Sequence, residues 1–271
     1  MEFAEVLDKV MRLRWRLAKP VQSLLVGPYR SAFRGEGIEF ADARPYEIGD
    51  DWRRLHWSLT ARKNQPYLRL GQEERELTCL IAIDRSPSMR ISSEKQNLTL
   101  TVAVSLALSA LLNSDRVQWL SFGEQVEYFS PARKGEKFTW GALSRLWNQT
   151  SRAERSYLSP MLHWVASVHR RRILLIIVSD LFFHDQTGWT LLNAMAHQHF
   201  TLIVGVRTLQ EAYTPAWGYL PVKDVETGEV AIHRREDSLP VPAVSRLRLA
   251  YVSSEKELFS ALGRAFLTPL Q

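Results

Sequence analysis

The sequence predicts an α/β protein: a doubly wound, mostly parallel sheet preceded by a small helix-plus-β appendage. Two observations carry this expectation. From residue 77 onward, short and almost continuously apolar runs alternate with helical segments, the pattern of a parallel sheet covered on both faces. Residues 1–76 have no such runs; an amphipathic helix there is followed by strand-like pieces punctuated by Gly27, Gly35, Gly37, Gly49 and Gly71. The length of 271 residues is about 1.8 times a typical domain of roughly 150, which fits a large domain with an appendage better than two equal ones. The division expected is 1–76 for the appendage and 77–271 for the α/β domain.

In the appendage, Phe3, Val6, Leu7, Val10, Leu13 and Leu17 fall at helical spacing, and Pro20 should stop the helix. The tract Pro66 to Leu70 cannot form a stable sheet without partners and must dock on another part of the molecule. Strands are expected at Leu77 to Ile83, Val117 to Phe122, Ile173 to Ser179 and Phe200 to Val206, with Gln125 to Ser130 as an edge strand beside Phe122. Helices are expected near 94–113, 138–148, 158–171 and 187–199. A last helix should run from Ser254 to Phe266, where Glu257 completes a capping box with Ser254. Residues 207–246 interrupt the alternation. Within them Tyr219 to Val225 and Glu229 to His233 flank Glu226-Thr227-Gly228 as a hairpin, expected to pair with the N-terminal strands.

Composition narrows the function classes. A hydrophobic fraction of 45%, 24% charged residues and nine tryptophans exclude a disordered chain and a fibrous repeat. The net charge of +6 is spread: residues 1–76 carry 14 basic and 12 acidic groups, leaving 21 and 17 for the rest, so no basic domain points to nucleic acid. Arg12, Arg14, Arg16 and Lys19 with Trp15 close an amphipathic helix, where they complement its dipole or touch anionic lipid at a membrane surface. Cys79, the single cysteine, allows no intrachain disulfide and reads as a buried thiol in a reducing cytoplasm. Glu2, Glu5, Asp8 and Lys9 interrupt any leader-like apolar stretch. Leu98 to Leu112, at about 15 residues, falls short of a membrane span and reads as a buried helix. A cytoplasmic location is expected.

The chemistry concentrates after the first core strand, in Ile81-Ala82-Ile83-Asp84-Arg85-Ser86-Pro87-Ser88-Met89. An Asp-x-Ser-x-Ser loop at a strand's carboxyl end stands where open parallel sheets bind ligands. Asp84, Ser86 and Ser88 offer hard oxygens suited to Mg²⁺ or Mn²⁺. Asp180 ends another apolar strand, and Ser156 precedes the helix leading into that strand, so both should reach the same rim. Two carboxylates do not saturate a divalent ion, which would stay open to a partner's carboxylate. Chance alone yields such a match about one time in ten at this length, so its placement counts for more than the match. The alternative is an Asp and Ser pair that caps a helix without metal.

That segment, with Ser156 and Asp180, resembles the metal-ion-dependent adhesion site of von Willebrand factor A-like domains. Upstream, Gly35-x-Gly37-x-Glu39-Phe40, then Arg44-x-Tyr46-x-x-Gly49-Asp50-Asp51-x-Arg53-Arg54-x-x-Trp57 and Ala61-Arg62 resemble domain-of-unknown-function family fifty-eight. Its members are bacterial and archaeal proteins with a von Willebrand factor A-like domain, often encoded beside a MoxR-type AAA+ ATPase. The resemblance covers roughly residues 20–206. It implies a von Willebrand factor A-type fold, a Mg²⁺ or Mn²⁺ ion held by Asp84, Ser86, Ser88, Ser156 and Asp180, and a non-enzymatic protein-binding module. The partners it implies are a MoxR-type ATPase in protein-complex assembly or remodelling and an acidic client. The chain departs from the family's pattern at Ser156, where Thr is usual, and at His56, where Asp is usual.

Other signals are weaker. Asp50 and Asp51 ahead of Arg53, Arg54 and Trp57 read as a short capped helix that clamps the appendage to the sheet or meets a partner. Trp189 and Trp217 are candidate partner contacts. Five histidines between 163 and 199 lack a metal-binding spacing. The sequence has no nucleophile elbow, phosphate loop or dinucleotide fingerprint. Two alternatives stand beside the ion-dependent module: a metal-independent scaffold binding through the appendage, and a Mg²⁺-dependent phosphohydrolase using Asp84.

Overall fold

Strands that are apolar on both faces need cover on both, and here they take the middle of a six-stranded sheet. The computed structural model describes residues 3–29, 43–69, 77–208, 220–223, 230–233 and 246–267. Its strands are β1 (Ala43–Pro45), β2 (Tyr67–Arg69), β3 (Thr78–Asp84), β4 (Arg116–Phe122), β5 (Val126–Phe129), β6 (Leu174–Ser179), β7 (Phe200–Val206), β8 (Leu220–Lys223), β9 (Val230–His233) and β10 (Leu247–Val252). The helices are α1 (Phe3–Leu24), α2 (Trp57–Lys63), the single turn α3 (Pro87–Arg90), α4 (Ser93–Leu112), α5 (Glu136–Asn148), α6 (Leu158–Val168), α7 (Gln186–Gln198) and α8 (Glu255–Leu267).

The main sheet has the order β10-β7-β6-β3-β4-β5, parallel throughout except for β5, which runs antiparallel to β4. In register, Ile81 of β3 lies between Trp119 of β4 and Ile176 of β6. Alternation along each strand divides the core. Cys79, Ile81 and Ile83 pack with α1, α4, α5 and α8, while Leu80 and Ala82 pack with α6 and α7. The α4 helix is long and apolar enough to cross a membrane, yet most of it is buried between the sheet and its neighbouring helices.

The expected strands and helices of the α/β domain stand within a few residues of where the sequence puts them. Three expectations are corrected. First, α1 runs through Pro20 to Leu24, and its apolar side chains Val6, Val10, Leu17 and Val21 pack into the main core. Proline inside a helix costs about 3 kcal/mol, but Val21, Leu25 and Tyr29 beyond it are fully buried, each gaining about 1.5–3 kcal/mol or more. Tyr29 also donates to Asp115 at 3.0 Å, and Asp115 accepts from the Leu77 amide at 3.1 Å, tying the end of this segment to the start of β3. Second, β8 and β9 pair with each other, and β1 pairs with β2, so the hairpin and the N-terminal strands form separate small sheets. Third, β10 extends the main sheet beside β7, where the sequence reading has no strand. The Gly35-to-Phe40 motif and Trp217 lie outside the described residues.

Candidate functional site

The chain leaves adjacent strands β3 and β6 toward opposite faces of the sheet: α4 follows β3 on one face and α7 follows β6 on the other. This divergence opens a crevice at the carboxyl edge, the usual ligand position of an open α/β sheet. Asp84 is the last residue of β3, and Asp180 directly follows β6. Ser86 begins the single turn of α3, with Pro87 at its first position fixing the backbone.

Asp84 is the hub of the rim. Its Oδ1 accepts from the Ser86 amide at 2.8 Å, and its Oδ2 accepts from the hydroxyls of Ser156 at 2.8 Å and Ser179 at 2.7 Å. The hydroxyls of Ser86 and Ser88 lie 3.1 Å apart. Asp84, Ser86, Ser156, Ser179 and Asp180 are all buried, and only Ser88 is partly open to solvent. Burial, and next the neighbouring Asp180 carboxylate, push the Asp84 carboxyl up to about 6, against the lowering effect of the Ser86 amide and the two hydroxyls.

Ser156 comes from the loop between α5 and α6, which is fixed at several points. The Tyr157 amide donates to the Gly123 carbonyl at 2.9 Å, and the His184 amide donates to the Ser156 carbonyl at 3.0 Å. Glu127 accepts from the Ser151 hydroxyl and the Arg152 and Ala153 amides at 2.9, 3.0 and 3.2 Å. Position 123 must be glycine, because a Cβ there would stand 2.2 Å from that of Ala153. Asp185 accepts from the Leu158 and Ser159 amides at 2.8 and 2.7 Å, so α6 is capped from the loop that follows Asp180.

Asp180 behaves differently from the other four expected ligands. Its Oδ2 lies 2.8 Å from Nζ of Lys95, with both side chains almost fully buried. Its Oδ1 accepts from the Phe182 amide at 3.3 Å, and the intervening Leu181 takes a left-handed backbone, φ 72°. Asp84, Ser86, Ser88 and Ser156 form a cluster of hard oxygens, as expected. The fifth member is paired with an ammonium ion. A divalent cation held by these five residues would therefore share the Asp180 charge with the Lys95 ammonium.

Among the remaining candidates, Arg53 and Trp57 are exposed on the small unit built from β1, β2 and α2, and the Arg53 guanidinium lies over the Trp52 ring at 5.9 Å. Arg54 ends the short helical turn Trp52–Arg54. The Asp residues of this turn act locally: Asp51 accepts from the Arg53 amide at 3.0 Å, while Asp50 pairs with Arg44 and accepts from the Glu47 amide. The Glu47 amide, and next Arg44, hold the Asp50 carboxyl below its ordinary range. His56 caps α2, its Nδ1 accepting from the Leu59 amide at 3.2 Å, as an Asp there would. Trp189 is half-buried, edge-on to Phe183 at 5.6 Å, and packs on the second core. Sequence reasoning missed Ser179, hidden inside an apolar run, and Lys95. The signal for Lys95 was its position in the first turn of the helix that rises from the carboxyl edge.

The chain is similar to known proteins over most of its length. It is 26% identical over 224 residues to the uncharacterized protein Mb1516 of Mycobacterium bovis and to the uncharacterized protein Rv1480 of Mycobacterium tuberculosis, covering 80% of this chain and 70% of each relative. Similar solved structures include the conserved hypothetical protein BatB from Bacteroides thetaiotaomicron, with a TM-score of 0.46, 12% identity and coverage of 70% of this chain and 96% of that one. An aerotolerance-related membrane protein from Bacteroides fragilis has a TM-score of 0.44, 12% identity and coverage of 70% and 98%. The family model described as "Protein of unknown function DUF58" matches residues 42–246, and the chain belongs to that family.

Proposed function

We propose that the chain is a non-enzymatic protein-binding module of von Willebrand factor A type that works in the cytoplasm as an adaptor for a MoxR-type AAA+ ATPase. The observation that carries this reading is the state of Asp84. Both of its oxygens accept hydrogen bonds, from one amide and two hydroxyls, in a rim held rigid from three loops. A carboxylate so engaged is a poor nucleophile, which removes support from the phosphohydrolase reading. The buried array instead fixes the loops around it, so a partner would meet Ser88, its partly open hydroxyl, and the loop surface that Asp84 holds in place. The family's frequent gene neighbourhood supplies the partner class, with protein-complex assembly or remodelling as the task.

Affinity capture from native cell extract, with wild type and Asp84→Asn as baits, tests this. The substitution keeps the side-chain volume and removes the charge. An AAA+ ATPase identified by mass spectrometry on wild type, and reduced at least tenfold, roughly 1.4 kcal/mol, on a folded Asp84→Asn bait, is the expected result. Equal recovery on both baits would move the contact away from the rim. A second reading then takes over, in which exposed Trp52, Arg53 and Trp57 on the small β unit form the contact.

A further inference from the structure

Lys95 is a fully buried lysine in a structure whose other charged groups mostly stay near water. An ammonium ion is costly to bury, and here it is placed against Asp180 at 2.8 Å. The position follows from the fold. Ser92 caps α4, accepting from the Lys95 amide at 3.1 Å, so the first turn of α4 sets its positive end and the Lys95 side chain beside the rim. Asp84 ends the adjacent strand β3 and accepts at 2.7 Å from the hydroxyl of Ser179, the residue before Asp180, so both carboxylates belong to the same rim.

We propose that Lys95 is the resident cation of this sheet edge: its ammonium group takes up the charge of Asp180 and keeps Mg²⁺ and Mn²⁺ out of the hydroxyl and carboxylate rim. A doubly charged ion within a few ångströms of an ammonium is repelled strongly enough to lose roughly tenfold in affinity or more, even at an effective dielectric constant near 20. Asp84, Ser86, Ser88 and Ser156 then serve as hydrogen-bonding groups and not as an ion cage. The proposal deepens the recognition reading by making the contact independent of metal. It is tested without any partner, so the two fail separately.

The experiment is a Mn²⁺ titration followed by the electron paramagnetic resonance signal of the free ion, on the full chain as wild type, Lys95→Gln, Asp84→Asn and the double variant Lys95→Gln/Asp84→Asn. Gln keeps a donor for Asp180 and removes the charge. The expected result is that Lys95→Gln binds one Mn²⁺ at least roughly tenfold more tightly than wild type, and that adding Asp84→Asn abolishes the gain. Equal affinity in wild type and Lys95→Gln, or a gain that survives loss of Asp84, overturns the proposal. Should Lys95→Gln fail to fold, the wild type decides. Mn²⁺ binding that Asp84→Asn abolishes overturns it, and binding indistinguishable from that of Asp84→Asn supports it.

Discussion

His199 shows how one ring nitrogen sets the response to acid. Its Nδ1 accepts from the Ile173 amide at 3.3 Å at the entry to β6, so the folded state uses the neutral ring. Burial, and next the neighbouring His169 and Arg172, lower its pKa from the ordinary 6.5. The unfolded chain binds the proton more readily, so the stability His199 contributes is complete above pH 6.5 and is lost as pH falls below it. Wild type should therefore lose more thermal stability than His199→Gln between about pH 7.5 and about pH 5.5; equal losses would assign the acid response elsewhere. Single residues also mark how far the site could be read from sequence. Asp84, Ser86, Ser88 and Ser156 were legible because chemistry and position at a strand end agree. Lys95 was not, since a lysine in a helix's first turn ordinarily reads as solvated. Ser179 was hidden because a serine ending an apolar strand gives no sign of which way its hydroxyl turns.

At the scale of elements, legibility follows the strength of the pattern. The central strands β3, β4, β6 and β7 are continuous apolar runs, and each was found within a residue or so of its place. The strand β10 was not, because Arg248 interrupts its pattern, and only the structure shows that this arginine turns inward to the Ala265 and Phe266 carbonyls at the end of α8. Pro20 misled for a different reason: the local rule against proline in a helix is outweighed by packing that is invisible until α4 and α5 are present. This gives a test of α1 as a core element. Leu25 is fully buried just beyond its end, so Leu25→Ala should cost about 2–5 kcal/mol of global stability by urea denaturation. A loss below about 0.5 kcal/mol, the scale of surface substitutions, would return α1 to the status of an appendage.

The whole molecule combines one large cooperative body with one lightly anchored piece. The main sheet, α1 and the helices on both faces share two extensive cores, whereas α2 has no buried residue and Leu68 is the buried apolar side chain of the β1–β2 unit among the described residues. Few buried apolar contacts mean a low free energy of local opening. Ile48, Trp52 and Trp57 face solvent on this unit, so its exposed apolar surface adds nothing to its own stability. Under native conditions trypsin should therefore cut first, among the described residues, at Arg53, Arg62 or Lys63, ahead of the arginines of α1, whose helix is held by Val6, Val10, Leu17 and Val21. The consequence separates the two domain divisions. If α1 belongs to the main core, the cut chain elutes as one particle in gel filtration, its N-terminal fragment held by contacts to α4, α5 and α8. If residues 1–76 formed an appendage of their own, that fragment would leave the α/β domain once the connection was cut.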